Sequence, residues 1–283
     1  MLLLIGSIVV LASVLGGYVL SHGELAALWQ PFELVIIFGA ALGAFLIANS
    51  FKTIKTVGAS IKTVIVGSRF TRQLYLDLLT LLYELFDKSR KAGIMSIEAD
   101  VDEPNESDLF NKYPSIQSQP KLRDFVCDYF RIVASGNMAA HELEGLIDME
   151  ITARQHELEK PGDAVHAIAD GLPGFGIVAA VLGIVITMKS LGGPPAELGL
   201  HVAAALVGTF IGILAAYGFV GPLSSAIHHL ADAEIKAYEC TKMSILAFLG
   251  GQAPQIAIEF GRKTLDSSVR PSFQELNDHV KAR

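Results

Sequence analysis

GLPGFGIVAAVLGIVITM, residues 171–188, runs eighteen residues without a charge and stops at Lys189. At 1.5 Å per residue such a helix rises about 27 Å, close to the ~30 Å hydrocarbon core of a bilayer. It reads as a membrane span, and three more stretches read the same way. Residues 2–20 carry no charge, residues 34–51 carry none and come after Trp29-Gln30-Pro31-Phe32-Glu33, and residues 200–221 carry only His201. Four such runs in a chain of 283 residues set the expected fold class: all-α, an integral membrane protein with four transmembrane helices and a helical cytoplasmic domain. Composition agrees, with 51% hydrophobic residues and 18% charged ones, against roughly 25% charged in soluble domains.

Other classes fall away. A net charge of −7 gives no basic footprint for nucleic acid. Two cysteines, Cys127 and Cys240, exclude a disulfide scaffold and a four-cysteine zinc site. Leu2-Leu3-Leu4 come directly after Met1, with no basic segment before them and no small-residue cleavage site after, so residues 2–20 read as a retained span.

Basic residues set the expected orientation. Residues 52–170 carry 14 Lys or Arg and residues 223–283 carry seven, whereas the short connections 21–33 and 189–199 carry only Lys189. Basic flanks stay cytoplasmic, and Lys52, Lys55 and Lys62 lie just past the second span. Both termini are therefore expected in the cytoplasm, with the two hairpin tips outside. The expected domains are a transmembrane hairpin over 1–51, a cytoplasmic helical domain over 52–170, a second hairpin over 171–222, and a cytoplasmic helix and tail over 223–283.

No Asp, Glu, Lys or Arg lies inside these spans. An intramembrane ionisable group is the usual mark of an ion path, so the chain is not expected to move ions alone. Small residues take their place: Gly39-x-x-x-Gly43 and Gly208-x-x-x-Gly212 each put two glycines on one helix face and predict close helix packing, within the chain or between copies. Pro173 and Pro222 stand at the ends of spans three and four that face the long loop and the tail. Gly171-Leu172-Pro173 reads as a span opening and Pro222 as a termination, and the matched pair also suits a hinge.

Beyond span two, Lys55, Lys62 and Arg69 recur every seven residues opposite Ile54, Val57, Ile61 and Val64, an amphipathic helix that can lay its basic face on lipid headgroups. Leu74, Leu78, Leu81, Leu82 and Leu85 predict a helix over 73–92, closed by Gly93. An acidic loop comes next, with six carboxylates between Glu98 and Asp108. Further helices are expected over 121–133 and 139–160, broken at Ser135-Gly136 and Pro161-Gly162, and over 224–249, before Gly250-Gly251 and a polar end. No strand pattern emerges. His141-Glu142-Leu143-Glu144-Gly145 lacks the second histidine of a zincin, and His228-His229 has no further ligands around it, so neither an enzyme nor a metal site is expected.

Span four reads Ala205-Leu206-Val207-Gly208-Thr209-Phe210-Ile211-Gly212-Ile213-Leu214, with Pro222 beyond it. With the four spans, the long loop and the Pro173–Pro222 pair, this resembles the MotA family, the larger stator subunit of the bacterial flagellar motor, over essentially the whole chain. The resemblance implies a multi-pass inner-membrane protein, five copies of which surround two MotB helices. It implies that a MotB aspartate carries the proton, that no cofactor is needed beyond H+, and that torque passes to the rotor protein FliG through Arg90 and Glu98. It places Pro173, Ala180, Thr209 and Pro222 on the proton path or its coupling. Sodium-driven relatives typically carry threonine where Ala180 stands, so the proton-driven type is implied. The ExbB and TolQ energisers of outer-membrane processes resemble this arrangement with one span, not two, before the cytoplasmic domain.

Overall fold

A computed structural model describes residues 2–136, 138–189 and 195–282. The first apolar run forms α1 (Leu2–Leu20), and a 3-10 turn at Leu25–Leu28 leads to α2 (Pro31–Ala48). Pro31 occupies the first helical position, where its missing N–H costs nothing. The second span thus begins three residues earlier than the charge pattern predicts and takes Glu33 into its first turn. It also ends earlier: Asn49 turns extended, and the Ser50 hydroxyl accepts the Thr53 N–H at 3.2 Å to cap a separate helix, α3 (Phe51–Val66). Helix α3 stops at Gly67, whose φ of +113° suits glycine. Arg69 therefore lies beyond the helix, and the three-cation stripe is reduced to Lys55 and Lys62.

Helix α4 (Arg72–Ala92) begins with the Thr71 hydroxyl accepting the Leu74 N–H and ends at Gly93. A 3-10 turn, Ile94–Ile97, and α5 (Glu98–Asp102) replace the first part of the expected acidic loop, so Glu98 opens a short helix. The chain continues through α6 (Asp108–Asn111), α7 (Pro114–Gln117) and α8 (Pro120–Ser135), which closes on Gly136.

The largest departure comes next. Helix α9 is one unbroken helix of 50 residues, Ala140–Lys189, with Pro161 and Pro173 inside it. The expected break at Pro161-Gly162 does not occur, and Pro173 does not open the span. Proline removes one backbone bond, and packing around it outweighs the loss. Pro161, Gly162, Ala164 and Val165 are buried, and the Ser224 hydroxyl donates to the Gly162 carbonyl at 2.9 Å. The tip expected at 189–199 falls partly on 190–194, outside the described residues. Helix α10 (Pro195–Ala215) passes through one π turn, Ala216–Val220, into α11 (Gly221–Leu249), so Pro222 does not terminate the fourth span. The tail folds into α12 (Pro254–Thr264) and α13 (Phe273–Lys281). Among the described residues there is no strand, and four helical stretches are long and apolar enough to cross a membrane.

The chain divides into two compact units: Met1–Gly67 with Leu158–His229, and Ser68–Glu157 with Leu230–Arg283. The first holds the spans, and its outer faces are apolar: Ile8, Val35, Ile47, Ile177 and Leu206 all lie exposed. In the second, α4 buries Leu78, Leu81, Leu82, Leu85 and Phe86. Phe86 stacks on Phe248 of α11 at 4.4 Å between ring centres, and Phe125 of α8 meets Tyr238 edge-on at 4.8 Å. Asp77, nearly buried in α4, accepts from Ser115 at 2.6 Å and from Gln73 at 3.0 Å, which offsets the cost of its burial.

Candidate functional site

Spans three and four cross on a seam of small residues. A Cβ added to Gly212 would lie 2.7 Å from the Leu172 carbonyl oxygen and 3.0 Å from the Gly176 Cα. One on Gly176 would lie 2.9 Å from the Gly208 oxygen and 3.2 Å from the Thr209 Cα. The line continues with Gly208 against Ala179 and Gly183 against Ala205. The two backbones touch, which only residues without side chains allow. The sequence pattern marks Gly208 and Gly212 but not Gly176 and Gly183, whose spacing of seven matches no short motif. Gly39 and Gly43 differ: added Cβ atoms there would meet nothing within 4 Å among the described residues, so this pair makes no comparably close crossing.

Ala180 and Thr209 lie on this seam, both half-buried. The Thr187 hydroxyl donates to its own helix at the Gly183 carbonyl, 2.8 Å away, whereas that of Thr209 makes no such bond. A third helix reaches the crossing. Glu33 of α2 brings its Cγ within 3.6 Å of the space a Gly208 side chain would take, and its Oε2 is sealed from solvent with no hydrogen-bond partner. A reading of spans by charge misses this carboxylate, because the charge itself draws the span boundary.

Pro173 follows Leu172, whose carbonyl lies on the seam, whereas Pro222 stands beyond it. Pro222, exposed, stands just past the π turn, in which the Gly221 N–H bonds the Ala216 carbonyl five residues back. A proline ring collides with the carbonyl four residues before it, here Gly218, and the widened turn relieves the clash. An apolar cavity of about 440 Å³ adjoins this turn, lined by Val10, Ile61, Ile65, Phe219, Pro222 and Leu223 among others. One turn before Pro173, Asp170 Oδ2 lies 3.6 Å from His166 Nε2, and His228 Nε2 lies 3.5 Å from Asp163 Oδ1. Alanine at Pro173 or Pro222 should leave the protein at parental levels in the membrane, read by immunoblot of the membrane fraction. Loss from the membrane would instead make the prolines structural.

In the second unit, charges between 87 and 131 are largely matched. Lys88 pairs with Asp100 at 2.6 Å, Lys91 with Asp87 at 2.7 Å and Arg131 with Asp102 at 2.8 Å. Arg90 and Glu98 are exposed and make no ion pair among the described residues. Glu103, Glu106 and Asp108 are likewise exposed without an ion pair among the described residues, so the unmatched charge here is mostly acidic. Deeper in this unit, burial raises the Glu234 carboxyl above the usual range, against the pull of Lys121 and of the Tyr238 hydroxyl. Burial likewise pushes the Cys127 thiol up to about 12, so it stays an inert core group. No metal-binding cluster occurs among the described residues.

Similarity to known proteins extends over the whole chain. The motility protein A N-terminal family matches residues 4–93, and the MotA/TolQ/ExbB proton channel family matches residues 120–240. Motility protein A of Salmonella typhimurium is 48% identical over 282 residues, covering 100% of this chain and 96% of the relative. That of Escherichia coli is 47% identical with the same coverage. Chemotaxis protein LafT of Vibrio parahaemolyticus is 38% identical, covering 96% of this chain and 95% of the relative. Among solved structures, MotAB of C. jejuni shares the fold with a TM-score of 0.77 at 17% identity, over 95% of this chain and 98% of that one. The flagellar MotAB stator complex of Bacillus subtilis gives 0.69 at 22% identity, over 90% and 92%.

Proposed function

This chain belongs to the motility protein A family, within the wider MotA/TolQ/ExbB proton channel family, and on that footing we propose that it is a stator subunit of the bacterial flagellar motor. It works as a multi-pass protein of the inner membrane with both termini in the cytoplasm. Several copies, five in this reading, surround two MotB helices whose aspartate carries the proton. Protonation and release at that aspartate shift the ring and drive FliG. The observation that carries the reading is the relation to motility protein A at 48% identity across the full length. The ExbB and TolQ alternative is disfavoured by the match of residues 4–93, which hold the first two spans, α3 and α4, to the motility protein A N-terminal family.

The energetics suffice. A proton crossing ~150 mV releases roughly 3.5 kcal/mol from the potential, at about 2.3 kcal/mol per 100 mV. That matches the few kcal/mol that repacking a helix interface costs. The channel is not an enzyme, and its chemistry is proton transfer alone. The test is complementation. A strain lacking its own MotA should grow flagella that do not turn, and this chain, expressed with a matching MotB, should restore swimming. Restored siderophore uptake without swimming would place it with the energisers.

Arg90 and Glu98 are the rotor-facing pair in this proposal, as the family resemblance implies, and both are exposed without an ion pair among the described residues. Exposed pairs contribute roughly 0–1 kcal/mol each, so neutralising one residue should slow swimming by less than half. Reversing both should stop it, and matching reversals on FliG should recover part of the speed. A double reversal that swims at parental speed would remove these residues from the rotor contact.

A further inference from the structure

We propose that Glu33 is an ion-carrying carboxylate supplied by this chain itself, which holds the proton at the junction of α2, α9 and α10 before it passes to the partner's aspartate. The proposal deepens the proton-driven reading and rests on it.

Three observations converge on Glu33. It stands in the first turn of a membrane-spanning helix of 18 residues, where the helix dipole favours a negative charge. Its Oε2 is sealed from solvent and has no hydrogen-bond partner. Its side chain reaches the crossing of spans three and four at Gly208, where its Cγ and the Ala179 methyl both border the space a Gly208 side chain would take. A carboxylate kept for structure accepts hydrogen bonds, as Asp77 does in the other unit. Glu33 instead holds an oxygen that no donor of the described chain reaches.

The neighbours leave the role to Glu33. From α9 the junction receives Ala179 and Ala180, which cannot titrate. From α10 it receives Gly208 and Thr209, and the nearest titratable group on the same face is His201, seven residues earlier. Seven residues are two turns, about 10 Å along the axis, toward the expected outer end. In the transfer step Glu33 Oε2 forms an O–H bond with an incoming proton. That bond breaks as the proton passes to the partner's carboxylate. No electrons change hands.

The test uses the full chain with its MotB partner in a strain where the parent swims, so failure of the parent would count against the stator reading and not against this one. Glu33→Gln keeps the shape and hydrogen-bonding capacity but cannot titrate. Glu33→Asp titrates but is shorter. The expected pattern is parental membrane level and MotB co-purification for both. Glu33→Gln should fall below a tenth of parental swimming speed and vesicle proton uptake, and Glu33→Asp only a few-fold. The infrared difference spectrum between acid and alkaline membranes should show a carboxylic-acid C=O band that is lost in Glu33→Gln and shifted in Glu33→Asp. Glu33→Gln swimming within twofold of the parent would overturn the proposal. So would Glu33→Asp as impaired as Glu33→Gln with the band unchanged. If Glu33→Gln is lost from the membrane, the band in Glu33→Asp decides: a shift supports the proposal and an unmoved band overturns it.

Discussion

Gly212→Val should abolish motility and deplete the protein from the membrane, while Gly43→Val should leave the chain's own fold intact. At Gly212 a first added carbon would stand 2.7 Å from the Leu172 carbonyl oxygen and 3.0 Å from the Gly176 Cα, both backbone atoms that cannot rotate away. Ordinary contact lies above 3.4 Å, so the two spans must part by the better part of an ångström along the whole seam. Overpacking of this kind costs about 1–3 kcal/mol for one or two methylenes, and valine adds three carbons to glycine. In a bilayer nothing compensates, because helices associate there through packing and interhelical hydrogen bonds, not through the hydrophobic effect. Gly212→Ala should be intermediate, with swimming reduced several-fold. Gly43 has nothing within 4 Å of its added carbon, so the first carbon of a side chain there meets no described atom of another helix. Membrane immunoblots and swimming speed separate the cases. A normal level for Gly212→Val would mean that the seam yields more easily than its backbone contacts imply. Normal levels with lost motility for Gly43→Val would identify that face as a contact between copies.

The spans are legible in the sequence because four long runs without charge are hard to place anywhere but in a bilayer, and length alone converts them to membrane helices. The same rule hides Glu33: a charge marks the edge of span two, whereas Pro31 starts the helix and carries the carboxylate inside. Prolines mislead for a related reason. A pattern treats proline as a local stop, but Pro161 sits among Gly162, Ala164 and Val165, all buried, with Ser224 holding the Gly162 carbonyl. Pro222 is accommodated by a π turn that no residue pattern announces. The short spacing of Gly208 and Gly212 announces half of the seam. Its partners Gly176 and Gly183 become visible only where the two backbones touch. Arg90 and Glu98 come from the family resemblance, and that both stand without an ion pair among the described residues is a property of three dimensions.

Swimming driven by this chain should be indifferent to external sodium and should collapse when a protonophore is added. Sodium sheds its hydration shell only where several oxygens replace it, supplied by carbonyls, hydroxyls or carboxylates. Around the seam the side-chain oxygens are few. Ala180 presents a methyl group where sodium-driven relatives typically place a threonine hydroxyl. Gly176, Ala179, Gly183, Ala205, Gly208 and Gly212 present no side-chain oxygen at all. The Thr209 hydroxyl and the Glu33 carboxylate remain, two groups on neighbouring helices. The seam is also packed too closely to admit a ring of ligands, since a single methyl at Gly176 would already approach the Gly208 oxygen to 2.9 Å. A proton needs neither a ring nor space, only a chain of groups that can accept and release it in turn. Speed should therefore hold constant as sodium is replaced by potassium, and fall to zero within the response time of the protonophore. Strict dependence on sodium, or block by a sodium-channel inhibitor such as phenamil, would show that backbone carbonyls complete a sodium site despite the missing hydroxyl.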